Sequence, residues 1–211
     1  MGYFPVFLDL TGRRCLMVGG GPVAAHRVEG LVAAGARVTV ISPRVTAALD
    51  ALAAAGRIDL ESRAYRAGDL AGFDLVFVAT DAREVNASVA REARERGAWV
   101  NAADDPANCT FILPALVRRG DLTVAVATGG SSPALARAVR EELEGYLTEE
   151  YGTLAAIAAE VRLEVRTAGQ PVTAEAWRRA LGREVRELIV ERGRDDAKRR
   201  LRELLGVASC I

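Results

Sequence analysis

Residues 16–24 read Leu-Met-Val-Gly-Gly-Gly-Pro-Val-Ala, an apolar run that breaks into a glycine turn and then opens a helix. Gly19, Gly21 and Ala24 give the spacing G-x-G-x-x-A. In such a loop the first glycine permits a tight turn, and the second lets backbone approach a pyrophosphate. The small third residue lets helix and strand pack closely. Pro22 has no N–H to lose in the first helical turn, where free N–H groups and the helix dipole favour an anion. Glycine turns after strands are common, so the context carries the weight: a strand–turn–helix–strand unit makes a dinucleotide the leading ligand.

Working outward, the helix from Val23 to Ala34 ends at Gly35, and Arg37-Val-Thr-Val-Ile41 is a β-branched second strand. Ala47–Ala55 predicts a short helix ending at Gly56, followed by a strand over Ile58–Ser62. Asp74-Leu-Val-Phe-Val-Ala79 is a continuous apolar run, as expected of a strand buried on both faces. A helix over Glu84–Arg96 ends at Gly97, and Trp99-Val-Asn101 is a fifth strand. This alternation predicts an α/β fold, a Rossmann-type doubly wound parallel sheet occupying residues 1–113.

The pattern then changes. Thr110–Val117 and Leu122–Thr128 flank the turn Arg118-Arg-Gly-Asp121 and read as a β-hairpin. Ser132 and Pro133 are N-cap and N1 of a helix reaching Tyr146. From Glu149 onward only helical patterns occur, broken at Gly169-Gln-Pro171 and at Gly193. The expected organisation is therefore a nucleotide-binding domain over 1–113, a hairpin-plus-helix segment over 114–148 and a small helical domain over 149–211. A lone two-stranded ribbon is marginal. The hairpin must pack on its own helices or pair with a second subunit; pairing is the preferred reading and makes 114–148 a dimerisation segment of a homodimer.

Composition narrows the class. The chain has 211 residues, half of them hydrophobic, and 28 basic against 28 acidic side chains, so no net field gathers nucleic acid or an anionic membrane. Lys198 is the only lysine. No run is long and apolar enough to span a bilayer. The opening Met-Gly-Tyr-Phe-Pro-Val-Phe-Leu-Asp-Leu lacks a secretory signal, and Gly2 lacks the hydroxyl residue that myristoylation requires. Cys15, Cys109 and Cys210 are widely spaced and odd in number, which argues against a disulfide framework or a zinc site. A reduced, cytoplasmic protein is the expectation.

In an open α/β sheet, ligands gather at the carboxyl ends of the strands. Those ends carry Gly19, Gly20, Gly21, Pro22 and Val23; then Ser42, Pro43 and Arg44; then Thr80 and Asp81; then Asn101 to Asp105. A dinucleotide site usually has Asp or Glu after the second strand to bind the ribose diol, and this chain has Ser42. Ser42 could bond a ribose hydroxyl and Arg44 could face a 2′-phosphate, so the residues leave NAD and NADP both open. Adjacent Asp104 and Asp105 could act as general base, proton acceptor or metal ligand, although Asp-Asp-Pro is also ordinary turn chemistry. Thr128-Gly-Gly-Ser-Ser-Pro133 is a second glycine loop feeding a helix. As a strand-to-helix turn it needs no ligand, yet it could take an anion. His26, the only histidine, lies beyond the first helical turn and reads as a solvated or packed helical residue. Arg118, Arg119, Arg137 and Arg140 could clamp carboxylates, with solvated charge as the default for each.

Several segments together resemble a known family. They are Phe4-Pro-Val-Phe-Leu-Asp-Leu10, Val18–Ala24, Ala79-Thr-Asp81, Asn101-Ala-Ala-Asp-Asp-Pro106, Phe111-Ile-Leu-Pro114 and Val124–Arg137. The chain resembles the precorrin-2 dehydrogenase/sirohydrochlorin ferrochelatase family, the dehydrogenase–chelatase module of siroheme synthase. The resemblance implies NAD-dependent oxidation of precorrin-2 to sirohydrochlorin, Fe²⁺ as the substrate of a second, chelatase activity, a homodimer, and the stand-alone form with no methyltransferase domain following. It puts the essential aspartate on Asp104 and a residue phosphorylated in some members on Thr128. Cofactor contacts fall on Gly19–Val23 and Ser42–Arg44, with Thr80, Asp81 and Asn101 beside them. Candidate substrate-binding residues are Asp105, Thr128, Gly129, Gly130, Ser131, Ser132 and Arg137, and no resident metal ligand is expected. The family tolerates the missing ribose acid and uses NAD. A non-catalytic NAD-sensing dimer is the alternative reading; it leaves Asp104 and the 128–133 loop without a purpose.

Overall fold

The computed structural model describes residues 2–207; Cys210, read above as one of three unpaired thiols, lies outside them, whereas Cys15 and Cys109 are free. The chain divides into two compact units, Met1–Leu113 and Pro114–Ile211.

In the first unit the strands are β1 (Arg14–Val18), β2 (Arg37–Ile41), β3 (Asp59–Glu61), β4 (Leu75–Val78) and β5 (Trp99–Ala102). The helices are α1 (Pro22–Ala33), α2 (Ala47–Ala54) and α3 (Arg83–Arg96). The strands form one parallel sheet in the order β3-β2-β1-β4-β5. All four residues of β4 are buried, as its unbroken apolar run requires of a strand covered on both faces. Alternate strand residues serve opposite layers. Cys15, Met17, Val38, Val40, Leu75 and Phe77 pack with Ala24, Val28 and Leu31 of α1 and Leu49 of α2. Leu16, Val18, Val76, Val78, Val100 and Ala102 pack with Val89, Ala90 and Ala93 of α3. Because β1 pairs with β2 on one side and β4 on the other, the chain order reverses at β1, and the turns after β1 and β4 face each other there.

In the second unit β6 (Ala115–Arg119) and β7 (Leu122–Val126) form an antiparallel hairpin, with Arg119 opposite Leu122. The turn is therefore only Gly120-Asp121, and Gly120 takes φ +54°. Helices α4 (Pro133–Tyr146), α5 (Glu150–Thr167), α6 (Ala174–Ala180), α7 (Arg183–Arg192) and α8 (Arg194–Leu204) follow. Leu154, Ile157, Val161 and Val165 make the helical-period stripe of α5 that meets Val185, Ala197 and Leu201 in this unit's core.

Two details differ from the sequence expectation. The hairpin's first strand starts at Ala115 rather than Thr110. Thr110 instead donates its N–H to the Val100 carbonyl (2.8 Å) and accepts the Val100 N–H at its hydroxyl (2.8 Å), so this stretch seals the end of β5. A further helix break at Leu181-Gly182 separates α6 from α7. The hairpin packs on α4 and α5 of its own chain, one of the two supports expected for it. Gly152 of α5 sits so close that a Cβ there would lie 2.8 Å from the Arg119 carbonyl.

Candidate functional site

The glycine turn is wedged between its neighbours. Gly19 donates its N–H to the Ile41 carbonyl (3.0 Å) and has φ +125°; a Cβ on it would lie 2.2 Å from the Ala79 carbonyl oxygen. Gly20 accepts the Thr46 N–H (3.0 Å), and a Cβ there would meet the Arg44 carbonyl oxygen at 2.2 Å and Ser42 Oγ at 2.7 Å. Gly21 has nothing within 4 Å of the equivalent position, and no side chain caps the start of α1. The first two glycines thus bring β1's end against the turns after β4 and β2, and the third leaves bare backbone and uncapped amides open to an anion. The spacing motif treats Gly20 as variable; the packing makes it as constrained as Gly19.

A cleft of about 690 Å³ opens beside this loop. Of the sequence candidates it brings together Gly21, Pro22, Val23, Thr80, Asp81, Asp104 and Asp105, from the carboxyl ends of β1, β4 and β5. Ala79, Arg83, Asn86, Ala87 and Ala103 complete its lining, and of these Arg83, Asn86 and Ala87 were missed in the sequence. Asn86 is buried in the first turns of α3, where its Nδ2 donates to the Thr80 carbonyl (2.9 Å) and its Oδ1 accepts from the Thr80 hydroxyl (2.7 Å). It thereby fixes the turn that presents Thr80 and Asp81. An asparagine one turn into an amphipathic helix was the available signal.

The paired aspartates are not equivalent. Asp105 accepts a 2.7 Å hydrogen bond from Asn108 Nδ2 and precedes the 3-10 turn Pro106–Asn108. Asp104 is exposed, and among the described residues its carboxylate has no hydrogen bond or ion pair. It is also the only non-glycine among them in the left-handed region, at φ +55°. Asp tolerates that region better than most residues but not without cost, and such positions cluster at functional sites. Cys109 braces the loop, its single S–H within hydrogen-bond distance of the Ala102 (3.2 Å) and Asp105 (3.3 Å) carbonyls, and burial pushes that thiol up.

The remaining candidates sit outside this lining. Ser42 is buried and donates its hydroxyl to the Arg44 carbonyl (2.6 Å), so its proton holds the turn after β2 and only acceptor capacity remains for a ribose. Pro43 and Arg44 are exposed beside it. Asn101 is buried on the α1 face of β5, where Nδ2 donates to the Phe111 carbonyl (3.0 Å) and Oδ1 lacks a partner. His26 is exposed on α1. In the second unit the 128–133 loop is self-bonded. Thr128 Oγ1 donates to the Ser132 carbonyl (3.0 Å) and accepts the Ser132 N–H (3.0 Å), Ser131 Oγ donates to the Thr128 carbonyl (2.6 Å), and Ser132 Oγ caps α4 by accepting the Leu135 N–H (3.1 Å). Gly129 (φ +63°) and Gly130 (φ +84°) have open space around them, and Arg137 is exposed. A hollow of about 300 Å³ lies among α5 and α7, where Arg183 is bonded to Glu187 (2.5 Å) and Arg186 to the Tyr151 hydroxyl.

Comparisons with known proteins agree with this geometry. Residues 6–115 match the family model described as putative NAD(P)-binding, and residues 119–146 match the model described as sirohaem biosynthesis protein central. The siroheme synthase of Methylococcus capsulatus is 43% identical over 211 residues, covering 99% of this chain and 44% of the relative. That of Thioalkalivibrio sulfidiphilus is 42% identical over 201 residues, covering 94% and 41%. The chain thus spans less than half the length of these curated relatives. Among solved structures, SirC, a precorrin-2 dehydrogenase, superposes with a TM-score of 0.77 at 27% identity, covering 98% of this chain and all of that one. With its first unit matched over residues 6–115, the chain belongs to the putative NAD(P)-binding family.

Proposed function

We propose that this chain oxidises precorrin-2 to sirohydrochlorin with NAD as oxidant. The observation that carries the reading is the meeting, in one cleft, of the open Gly21 backbone with the unpaired carboxylate of Asp104. The solved relative named a precorrin-2 dehydrogenase and the siroheme synthases support the substrate class. The residues fit a dinucleotide, because Gly19 and Gly20 form a cradle that a Cβ would fill and α1 begins with uncapped amides. Gly19–Val23 would hold the pyrophosphate, Ser42–Arg44 the ribose edge, and Thr80, Asp81 and Asn101 would border the remainder. When bound, NAD supplies the hydride acceptor. Asp104 supplies the base: its carboxylate takes a proton from the macrocycle as a ring carbon loses hydride, so conjugation extends while charge stays balanced. Asp105, held by Asn108, keeps the loop in shape.

The same acceptor suits Fe²⁺ insertion, in which Asp104 would take pyrrole N–H protons as the metal, a substrate here, enters the ring. Thr128, Gly129, Gly130, Ser131, Ser132 and Arg137 are assigned to the tetrapyrrole, and the segment 114–148 to a homodimer. The dimer reading is supported by α4, which buries only Ala136 and leaves Leu135 and Tyr146 exposed. Residues 149–211 form the remaining helical domain in this scheme. A cytoplasmic location fits a chain in which, among the described residues, no helix is long and apolar enough to cross a membrane.

The test is NADH formation from precorrin-2, run with NAD and NADP in parallel, for the wild type and Asp104→Ala. Turnover with NAD that collapses in the variant supports the reading; normal turnover in Asp104→Ala would refute the assigned base. Stoichiometric NAD binding without turnover would favour the sensing dimer instead. Anaerobic incubation of sirohydrochlorin with Fe²⁺, followed by absorbance against a no-enzyme blank, tests chelation separately.

A further inference from the structure

The charge lining the cleft is wrong for a polycarboxylate. Asp81, Asp104 and Asp105 set three carboxylates against the one guanidinium of Arg83. A dinucleotide pyrophosphate would add further negative charge. Precorrin-2 is itself a polyanion, and like charges brought together in a partly desolvated cleft repel strongly. A cation from outside the lining has to offset this.

Arg27 has the required position and is uncommitted. It follows Val23, a lining residue, by one helical turn of α1, and so projects from the same side of that helix. Its Nη1 is buried without a hydrogen-bond partner, and the side chain has no ion pair among the described residues. The side chain as a whole is only half-buried, so part of the guanidinium fork remains reachable. Burial disfavours its charged form, and the charges of Cys109 and then Asp104 favour it. A buried donor left unpaired costs stability, and native structures seldom carry one without a purpose.

Resting on the precorrin-2 reading, we propose that Arg27 is a specificity-determining residue whose guanidinium takes a carboxylate of the tetrapyrrole at the Asp104 end of the cleft. Arginine suits the task because its planar fork pairs with a carboxylate through two N–H groups, which lysine cannot do. The unpaired Nη1 is then a feature of the ligand-free protein. Losing that donor should leave the apo fold as stable as before, or more so.

Arg27→Gln and Arg27→Lys test this, with NADH formation for kinetics, absorbance titration with sirohydrochlorin for binding, and a thermal melt. In Arg27→Gln, KM for precorrin-2 and Kd for sirohydrochlorin should rise about tenfold or more, as expected for one charge-assisted pair. The kcat and the Kd for NAD should stay near wild type, Tm should not fall, and Arg27→Lys should recover part of the loss. The sirohydrochlorin Kd should also depend less steeply on salt in Arg27→Gln than in the wild type. Unchanged tetrapyrrole affinity, a parallel loss of NAD affinity, or a lowered Tm would each overturn the assignment. Absence of wild-type turnover would strike the dehydrogenase reading alone, since the titration measures the Arg27 contact without turnover.

Discussion

Asp104 combines two properties that substitution can separate, a carboxylate for chemistry and a left-handed backbone. At φ +55° an ordinary L-residue bears about 1–2 kcal/mol, and Asp sits toward the low end of that range. Asp104→Gly removes this cost but gives back roughly 0.4–1 kcal/mol in unfolded-chain entropy, so it should be neutral or slightly stabilising. Asp104→Ala keeps the backbone penalty and loses the side chain's tolerance of it, so it should be the least stable, about 1 kcal/mol below Asp104→Gly. For a cooperative unit of this size that is a Tm difference of about 4 °C. Asp104→Asn tolerates the same backbone and should melt like wild type. All three lack the proposed proton acceptor, so NADH formation from precorrin-2 should fall about 10²–10⁴-fold in each. Near-wild-type turnover by Asp104→Asn would refute the carboxylate's role, and Asp104→Gly melting below Asp104→Ala would refute the backbone argument.

Four further substitutions have defined outcomes. Gly20→Ala sets a methyl 2.2 Å from the Arg44 carbonyl oxygen and should cost about 1–3 kcal/mol of stability, seen as a lower Tm together with weaker NAD binding. Gly21→Ala, with open space around it, should weaken NAD binding at nearly unchanged Tm. Asn86→Ala cuts both bonds to Thr80 and should cost about 1–3 kcal/mol and raise KM for NAD, measured by melting and steady-state kinetics. In the helical unit, hydrogen bonds from Arg202, and then Lys198, hold the Glu164 carboxyl down at about 2 instead of its ordinary 4.5. A lowered folded value means the stabilisation is fully present above pH 4.5 and is lost as pH falls toward 2. Glu164→Gln should therefore destabilise at neutral pH, by no more than about 1 kcal/mol for so exposed a cluster, and match wild type near pH 2 in parallel melts.

Local signals carried much of the fold. The run at Leu75–Val78 had to be a strand covered on both faces because nothing polar interrupts it, and Ser132-Pro133 had to open a helix because cap and first-turn chemistry coincide there. Thr110–Pro114 has strand-like composition as well, but its hydrogen bonds go to Val100 and Asn101 of β5, a partner ten residues away that local patterning does not register. Packing likewise shows what the hairpin rests on within its own chain, α4 and α5, with Gly152 letting α5 reach the turn.

The same division runs through the site. Sequence alone determined that a glycine loop ends β1 and that two aspartates follow β5, because a glycine motif and its neighbouring strand are contiguous and their chemistry is local. Only the tertiary structure decided which groups are free to act. Ser42 spends its proton on Arg44, Asp105 is bonded to Asn108, and Asn86 is tied to Thr80. Asp104 stays unpaired on a left-handed backbone. Those distinctions depend on hydrogen-bond partners and burial, which exist only once distant strand ends have been brought to one edge of the sheet.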